Sequence, residues 1–155
     1  MKISLAPITP ADVEELFGQL LPADRDEILA LGHDPAWGIQ NSIDASVECG
    51  AFRGNGRLVC LLGVSQPTAL GDVYHPWLLG TELMLQLRKD LLSFSKSILD
   101  QWVRRYGHLE NYVDARHERA IRWLGWLGAE FTLIERYGAL RRPFYKFEFG
   151  GPNVR

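Results

Sequence analysis

The stretch GDVYHPWLLGTE, Gly71 to Glu82, gathers the side chains best suited to move a proton: Asp72, His75 and Glu82. An imidazole exchanges its proton near neutral pH, so His75 has the intrinsic acidity that a general base needs. Other chemistries lack their residues. The chain contains no GxSxG, no HExxH, no P-loop GK[ST] and no GxGxxG. Gly54-Asn55-Gly56 reads as a turn, not a nucleotide loop. The four histidines, His33, His75, His108 and His117, show no ligand spacing, so no metal centre is expected. Cys49 and Cys60 could face each other across a hairpin, but buried free thiols fit better with a cytosolic compartment, where disulfides are rare. Arg119, Arg122, Arg136, Arg141 and Arg142, with Trp123, Trp126 and Tyr137 nearby, could offer a nucleic-acid face. Glu118, Glu130 and Glu135 interleave with them, so a solvated face is the expectation and a nucleic-acid partner is not.

The bulk numbers agree with a soluble enzyme or binding domain. The 155 residues suffice for one domain with a real core. Hydrophobic residues make up 46% and charged ones 23%, and the formal net charge is -2. No long-range field therefore draws the molecule to nucleic acid or anionic lipid. The start, MKISLAPITP, has no apolar signal-peptide core, and no apolar run approaches the roughly 20 residues that span a bilayer.

These residues need elements to position them. Residues 2–8 read as a first strand. Thr9-Pro10 then caps a helix carrying Val13, Leu16, Phe17 and Leu20. A second helix runs from about Ala23 to Leu31, with Gly32 as its stop, and Asp34-Pro35 starts a third with Trp37, Ile39 and Ile43. SVECGAF and RLVCLLGV flank Arg53-Gly54-Asn55-Gly56, whose residues permit the positive φ of a tight hairpin turn. VYHPWLL is the next strand, and its proline predicts a bulge or a splayed end. From about Asp90 to Tyr106, Leu91, Phe94, Ile98, Leu99, Trp102, Val103 and Tyr106 keep a helical stripe. LENYV is a short strand. Residues from about His117 to Leu127 form a helix whose buried arc is Ala120, Ile121, Trp123, Leu124 and Leu127. At least one of Trp123 and Trp126 should be core; exposure of Trp126 would mark a partner surface. EFTLIERYG and RPFYKFEF close the chain as strands. A helix between central strands requires a parallel crossover. The predicted fold is an α/β sandwich: one mixed sheet of about six to seven strands with helices on both faces.

This element order, and the run from His117 through Ala120, Leu124 and Leu127 to Gly128-Ala129, resembles the GCN5-related N-acetyltransferase (GNAT) superfamily. A closer resemblance joins Trp77-Leu78-Leu79-Gly80-Thr81 to Tyr106-Gly-His-Leu109-Glu-Asn111-Tyr112-Val113 and on to Phe131, over roughly residues 72–135. It is to the internal virion (core) proteins of short-tailed phages and to related phage proteins of GNAT-like fold. The resemblance implies a single GNAT-like domain over residues 1–150, with residues 151–155 as a tail.

For an acyl-CoA enzyme of this superfamily, it implies three parts. The pyrophosphate cradle falls on Leu79, Gly80 and Thr81, with Arg88 and Lys89 able to neutralise phosphate, although the usual second glycine is missing. The acid for the departing thiolate, often a tyrosine, falls on Leu124, which cannot donate a proton; Tyr112 or Tyr137 would have to substitute. The base falls in the group Asp72, His75 and Glu82. The catalytic candidates are therefore His75, Glu82 and Tyr112, with acetyl-CoA as the cofactor if the chain is an enzyme. The departures favour a binding or structural protein, associated with a phage virion or a host protein, in the host cytoplasm or the particle. The alternative is an acetyl-CoA-dependent N-acyltransferase acting on an unidentified amine. The enzyme reading further requires the strands around Trp77 and Tyr112 to run parallel and splay apart. FYKFEF, taken as a sheet edge, makes a homodimer possible.

Overall fold

Thr9 opens the first helix as its sequence dictates. Its hydroxyl accepts from the Asp12 N–H (3.2 Å), while the Asp12 carboxylate accepts from the Thr9 N–H (2.8 Å), a reciprocal capping box. Thr9→Ala should cost about 1 kcal/mol, read as a lowered urea midpoint with an unchanged slope. The computed structural model describes residues 3–66 and 71–150. The chain runs β1 (Ile3–Ala6), α1 (Pro10–Gln19), α2 (Pro22–Ala30), α3 (Pro35–Asp44), β2 (Ser46–Gly54), β3 (Arg57–Ser65), β4 (Val73–Gly80), α4 (Leu83–Gln86), α5 (Arg88–Tyr106), β5 (His108–Asp114), α6 (Glu118–Trp126), β6 (Glu130–Tyr137) and β7 (Arg142–Gly150). Asn55 and Gly56, with φ of 52° and 78°, make the β2–β3 turn.

One seven-stranded sheet has the order β1-β2-β3-β4-β5-β7-β6. Every neighbouring pair is antiparallel except β4 and β5, which run parallel. This is the mixed sheet that a central crossover requires. Helices cover both faces. On one, Leu16, Leu20, Ile28 and Ile39 of the first three helices and their junctions pack on Ala51, Leu58 and Leu61. On the other, Leu91, Leu99 and Trp102 of α5 pack on Phe52, Leu109 and Phe147.

The structure corrects several expectations. FYKFEF lies within β7, which is paired on both sides, by β5 and by β6; the sheet edges are β1 and β6. The β6–β7 hairpin folds back to insert β7 beside β5, so self-pairing through β7 is closed off. Cys49 is exposed and pairs in register with Gly63, while buried Cys60 pairs with Phe52, so the two thiols do not meet. Phe17 and Trp37 point outward: Phe17 lies under the Arg25 guanidinium and Trp37 against His33. No residue of α6 is fully buried, and Trp126 is 59% exposed. The arc Ala120, Ile121, Trp123 and Leu124 is half-buried against the core, and Ala120, Trp123 and Leu124 also line a cavity. Pro76 causes no bulge, since the β3–β4 register runs unbroken from Ser65↔His75 to Cys60↔Gly80.

Candidate functional site

The parallel strands β4 and β5 pair only at Val73↔His108 and Tyr74↔Leu109, then part. Their divergence leaves one edge of β4 without a strand. The Pro76 carbonyl accepts from Asn111 Nδ2 (2.9 Å), which fixes the even-numbered residues of β4 as those whose backbone faces β5. Gly80 obeys the same alternation: its N–H donates to Asp24 Oδ2 (2.9 Å) and its carbonyl accepts from the Leu21 N–H (3.0 Å). Thus α2 occupies the place that β5 has left. Leu78, between Pro76 and Gly80, directs its N–H and C=O into the gap. The missing N–H of Pro76 falls on the same side and costs no ladder bond.

A cavity of about 610 Å³ passes through this gap. On the α5–α6 side its walls are apolar, with Leu92, Ile98, Leu99, Trp123, Leu124 and Leu127. Exposed Arg88 and Lys89, which begin α5, and Arg119 and Arg122 of α6 also line it. The α5 N-cap, Leu87, provides no side-chain acceptor for the first-turn N–H groups, which adds to the positive potential there. On the α2 side the wall turns acidic, with Asp24 and Glu27.

Three groups on that side interlock. Buried Asp24 accepts the Gly80 N–H on one oxygen and lies 3.1 Å from His117 Nε2 with the other. His117 is the N-cap of α6, and its Nδ1 accepts from the Ala120 N–H (3.4 Å), so Nε2 carries the hydrogen directed at Asp24. Burial works against charge on His117, but the hydrogen bond to Asp24 and the carboxylates of Asp24 and Glu27 outweigh it and raise its pKa. Glu27 Oε1 accepts from the Asp114 N–H (2.7 Å). Loss of water pushes the Glu27 carboxyl up to about 7, opposed by that hydrogen bond and assisted by the Asp24 charge. A carboxylate poised near neutrality at a cavity wall can accept a proton from an ammonium or a water.

The sequence candidates divide between this cavity and its surroundings. Tyr112, Arg88 and Lys89 line it, and Tyr112 stacks on Tyr137 with ring centroids 4.2 Å apart. Leu124 lines it too. Glu82 lines a smaller neighbouring cavity of about 470 Å³ with Gln86, His117 and Arg119. His75 lies near the root of the divergence, where its Nδ1 donates to the Glu110 carbonyl (2.8 Å), leaving the Nε2 lone pair of the neutral ring free of that bond. Leu79 borders the main cavity from a buried, β3-paired position. Thr81 is fully buried; its hydroxyl reaches the Leu58 and Val59 carbonyls, and its N–H also bonds Val59. The N–H groups of Gly80 and Thr81 are thus engaged within the protein. A Cβ on Gly80 would stand 2.6 Å from Met84 Cε, the mobile end of a side chain that would have to shift. Sequence reasoning passed over Asp24, Glu27 and His117. The available signal was an acid pair at helical i, i+3 spacing, directly before the apolar Ile28.

No family model matches the chain, and no curated protein matches it. Solved structures do. Ard1 from Thermoplasma volcanium superposes with a TM-score of 0.69 at 13% identity, covering 97% of this chain and 98% of that one. An acetyltransferase from Bacillus subtilis in complex with CoA gives 0.64 at 13% identity, covering 97% and 98%. A ribosomal-protein alanine N-acetyltransferase from Escherichia coli gives 0.60 at 15% identity, covering 99% of each chain. The fold is therefore that of the GNAT acetyltransferases. Nothing in these likenesses shows a relationship to a phage virion protein. Among the described residues, no helix is long and apolar enough to cross a membrane.

Proposed function

We propose that this GNAT-fold chain binds an acyl-coenzyme A thioester across the β4–β5 gap and supports transfer of its acyl group to an amine. The observation that carries this reading is the cavity through the sheet, with a free β4 backbone edge at Leu78 in its middle. Its composition fits the ligand. Arg88, Lys89, Arg119 and Arg122 match a polyanionic head, and the apolar walls match a slender arm. The thioester would supply an acyl group already activated toward a nucleophile.

The protein's own groups account for the rest. The Leu78 N–H can donate to a carbonyl oxygen lying in the gap and stabilise negative charge developing there. Glu27, with its pKa near 7, takes the proton that an incoming ammonium must lose. Tyr112 is a phenol on the cavity wall that can return a proton to a leaving thiolate, a role that Leu124 cannot fill. His75 and Glu82 stay secondary because neither lines the main cavity. A virion or host-target role rests on the sequence resemblance alone.

Titration calorimetry with acetyl-CoA should give one site per chain, with an affinity in the ~1 μM to 1 mM range of ordinary enzyme substrates. Leu78→Pro removes the gap-facing N–H without breaking a ladder bond. It should leave the fold intact and slow acyl transfer by roughly a hundredfold. Absence of any saturable acetyl-CoA binding would overturn the reading.

A further inference from the structure

We infer that His108, Glu110 and Glu148 form a binding site for a divalent first-row transition metal of the zinc class, separate from the cleft. His108 and Glu110 are two apart on β5 and share a face, and Glu148 of β7 stands directly opposite Glu110 in register. His108 Nε2 lies 3.0 Å from Glu148 Oε2 and 3.7 Å from Glu110 Oε1. The three ligand atoms all fall within 4.8 Å of one another. Ligands about 2.1 Å from a tetrahedral zinc ion stand roughly 3.4 Å apart, so the two short separations bracket the required edge. One imidazole with two carboxylates suits zinc or cobalt better than calcium or magnesium, which prefer all-oxygen shells.

The electrostatics ask for a cation at this point. Glu110 and Glu148 are like charges directly across a strand pair, and Glu130 of β6 stands opposite Glu148 on its other side. The Glu110 side chain is only 16% exposed. It pairs with His108 at a distance beyond hydrogen bonding, and the Lys146 ammonium attracts it from further off. Lys146 Nζ, 3.3 Å from Glu148 Oε1, is the resident cation whose charge opposes a metal ion there. None of the three ligands lines the cavity. They clasp β5 to β7 beside the two pairs that join β4 to β5, Val73↔His108 and Tyr74↔Leu109. A bound ion would brace the root of the divergence. The histidine spacing gave no hint of this, because the third ligand arrives from β7.

Metal-free, tag-free protein titrated with zinc chloride in a calorimeter should take up one ion per chain. Cobalt(II) should give the visible absorption of a low-symmetry site in the same stoichiometry. His108→Ala and the near-isosteric Glu110→Gln should each weaken zinc binding at least tenfold. Lys146→Met should tighten it by removing the competing ammonium, a direction that a plain ion-pair network would not produce. Lack of saturable uptake, or uptake unchanged in both ligand variants, would overturn the assignment.

Discussion

Glu27→Gln should give a chain that is more stable than the parent at pH 8 and that transfers acyl groups at least roughly a hundredfold more slowly, the lower bound for losing a general base. The stability half follows from linkage. The folded carboxyl titrates near 7, against an ordinary value of 4.5. Between those limits the folded state holds a proton that the unfolded chain releases, so stability falls as pH rises from 4.5 to 7. Above pH 7 the full cost of a desolvated charge is present, on the order of 3 kcal/mol. Glutamine keeps an oxygen to accept the Asp114 N–H but has no charge to desolvate. Urea unfolding at pH 5 and pH 8, together with a pH–rate profile, reads both halves. Only the parent should show an acid limb near 7. A Gln variant that is less stable at pH 8, or fully active, would remove Glu27 from the mechanism. His117 bends the parent's profile the same way. Its raised pKa contributes stability that is complete below 6.5 and is lost as pH rises through the folded value.

Asp24→Ala should be among the most damaging single changes, costing about 3–5 kcal/mol. One carboxylate serves the Gly80 N–H and the His117 Nε2–H, and both donors would lose their partner inside the protein. The loss also unties three elements at once: α2, the end of β4 and the start of α6. Acetyl-CoA binding should weaken along with stability, since these elements frame the cavity. Asp24→Asn keeps an acceptor and should recover part of both. A cost below about 1 kcal/mol for the alanine variant would show that Asp24 does not hold this junction.

The parts of the fold legible beforehand are those written in neighbouring residues. The Thr9-Pro10 helix start, the Asn55-Gly56 turn and the stripe of Leu91, Leu99 and Trp102 are each written within one local segment. The parallel, splayed strands around Trp77 and Tyr112 followed from the GNAT resemblance and from a proline that tolerates only an unpaired edge. The short helix α4 was missed because four residues carry too little periodicity to be seen. Phe17 read as part of an apolar stripe and so as interior, and whether Trp123 or Trp126 faced the core was left open. Burial depends on what covers a helix face, which the face itself does not record.

The candidate site shows the same division more sharply. Arg88, Lys89, Leu124 and Tyr112 could be named from the resemblance, and all line the cavity. Glu27 could not, because its altered acidity comes from burial, from a hydrogen bond to Asp114, 87 residues away, and from the charge of Asp24, whose own partner His117 lies 93 residues further on. The sequence by itself determined the order of the strands and of the longer helices, the Thr9 cap and a central crossover, since these depend on residues close along the chain. The tertiary structure alone decided that β7 enters between β5 and β6, that α2 replaces β5 beside Gly80, and that one carboxyl is held near neutrality. Those outcomes depend on which distant segments exclude water from each other, a property of the packed molecule rather than of any stretch of it.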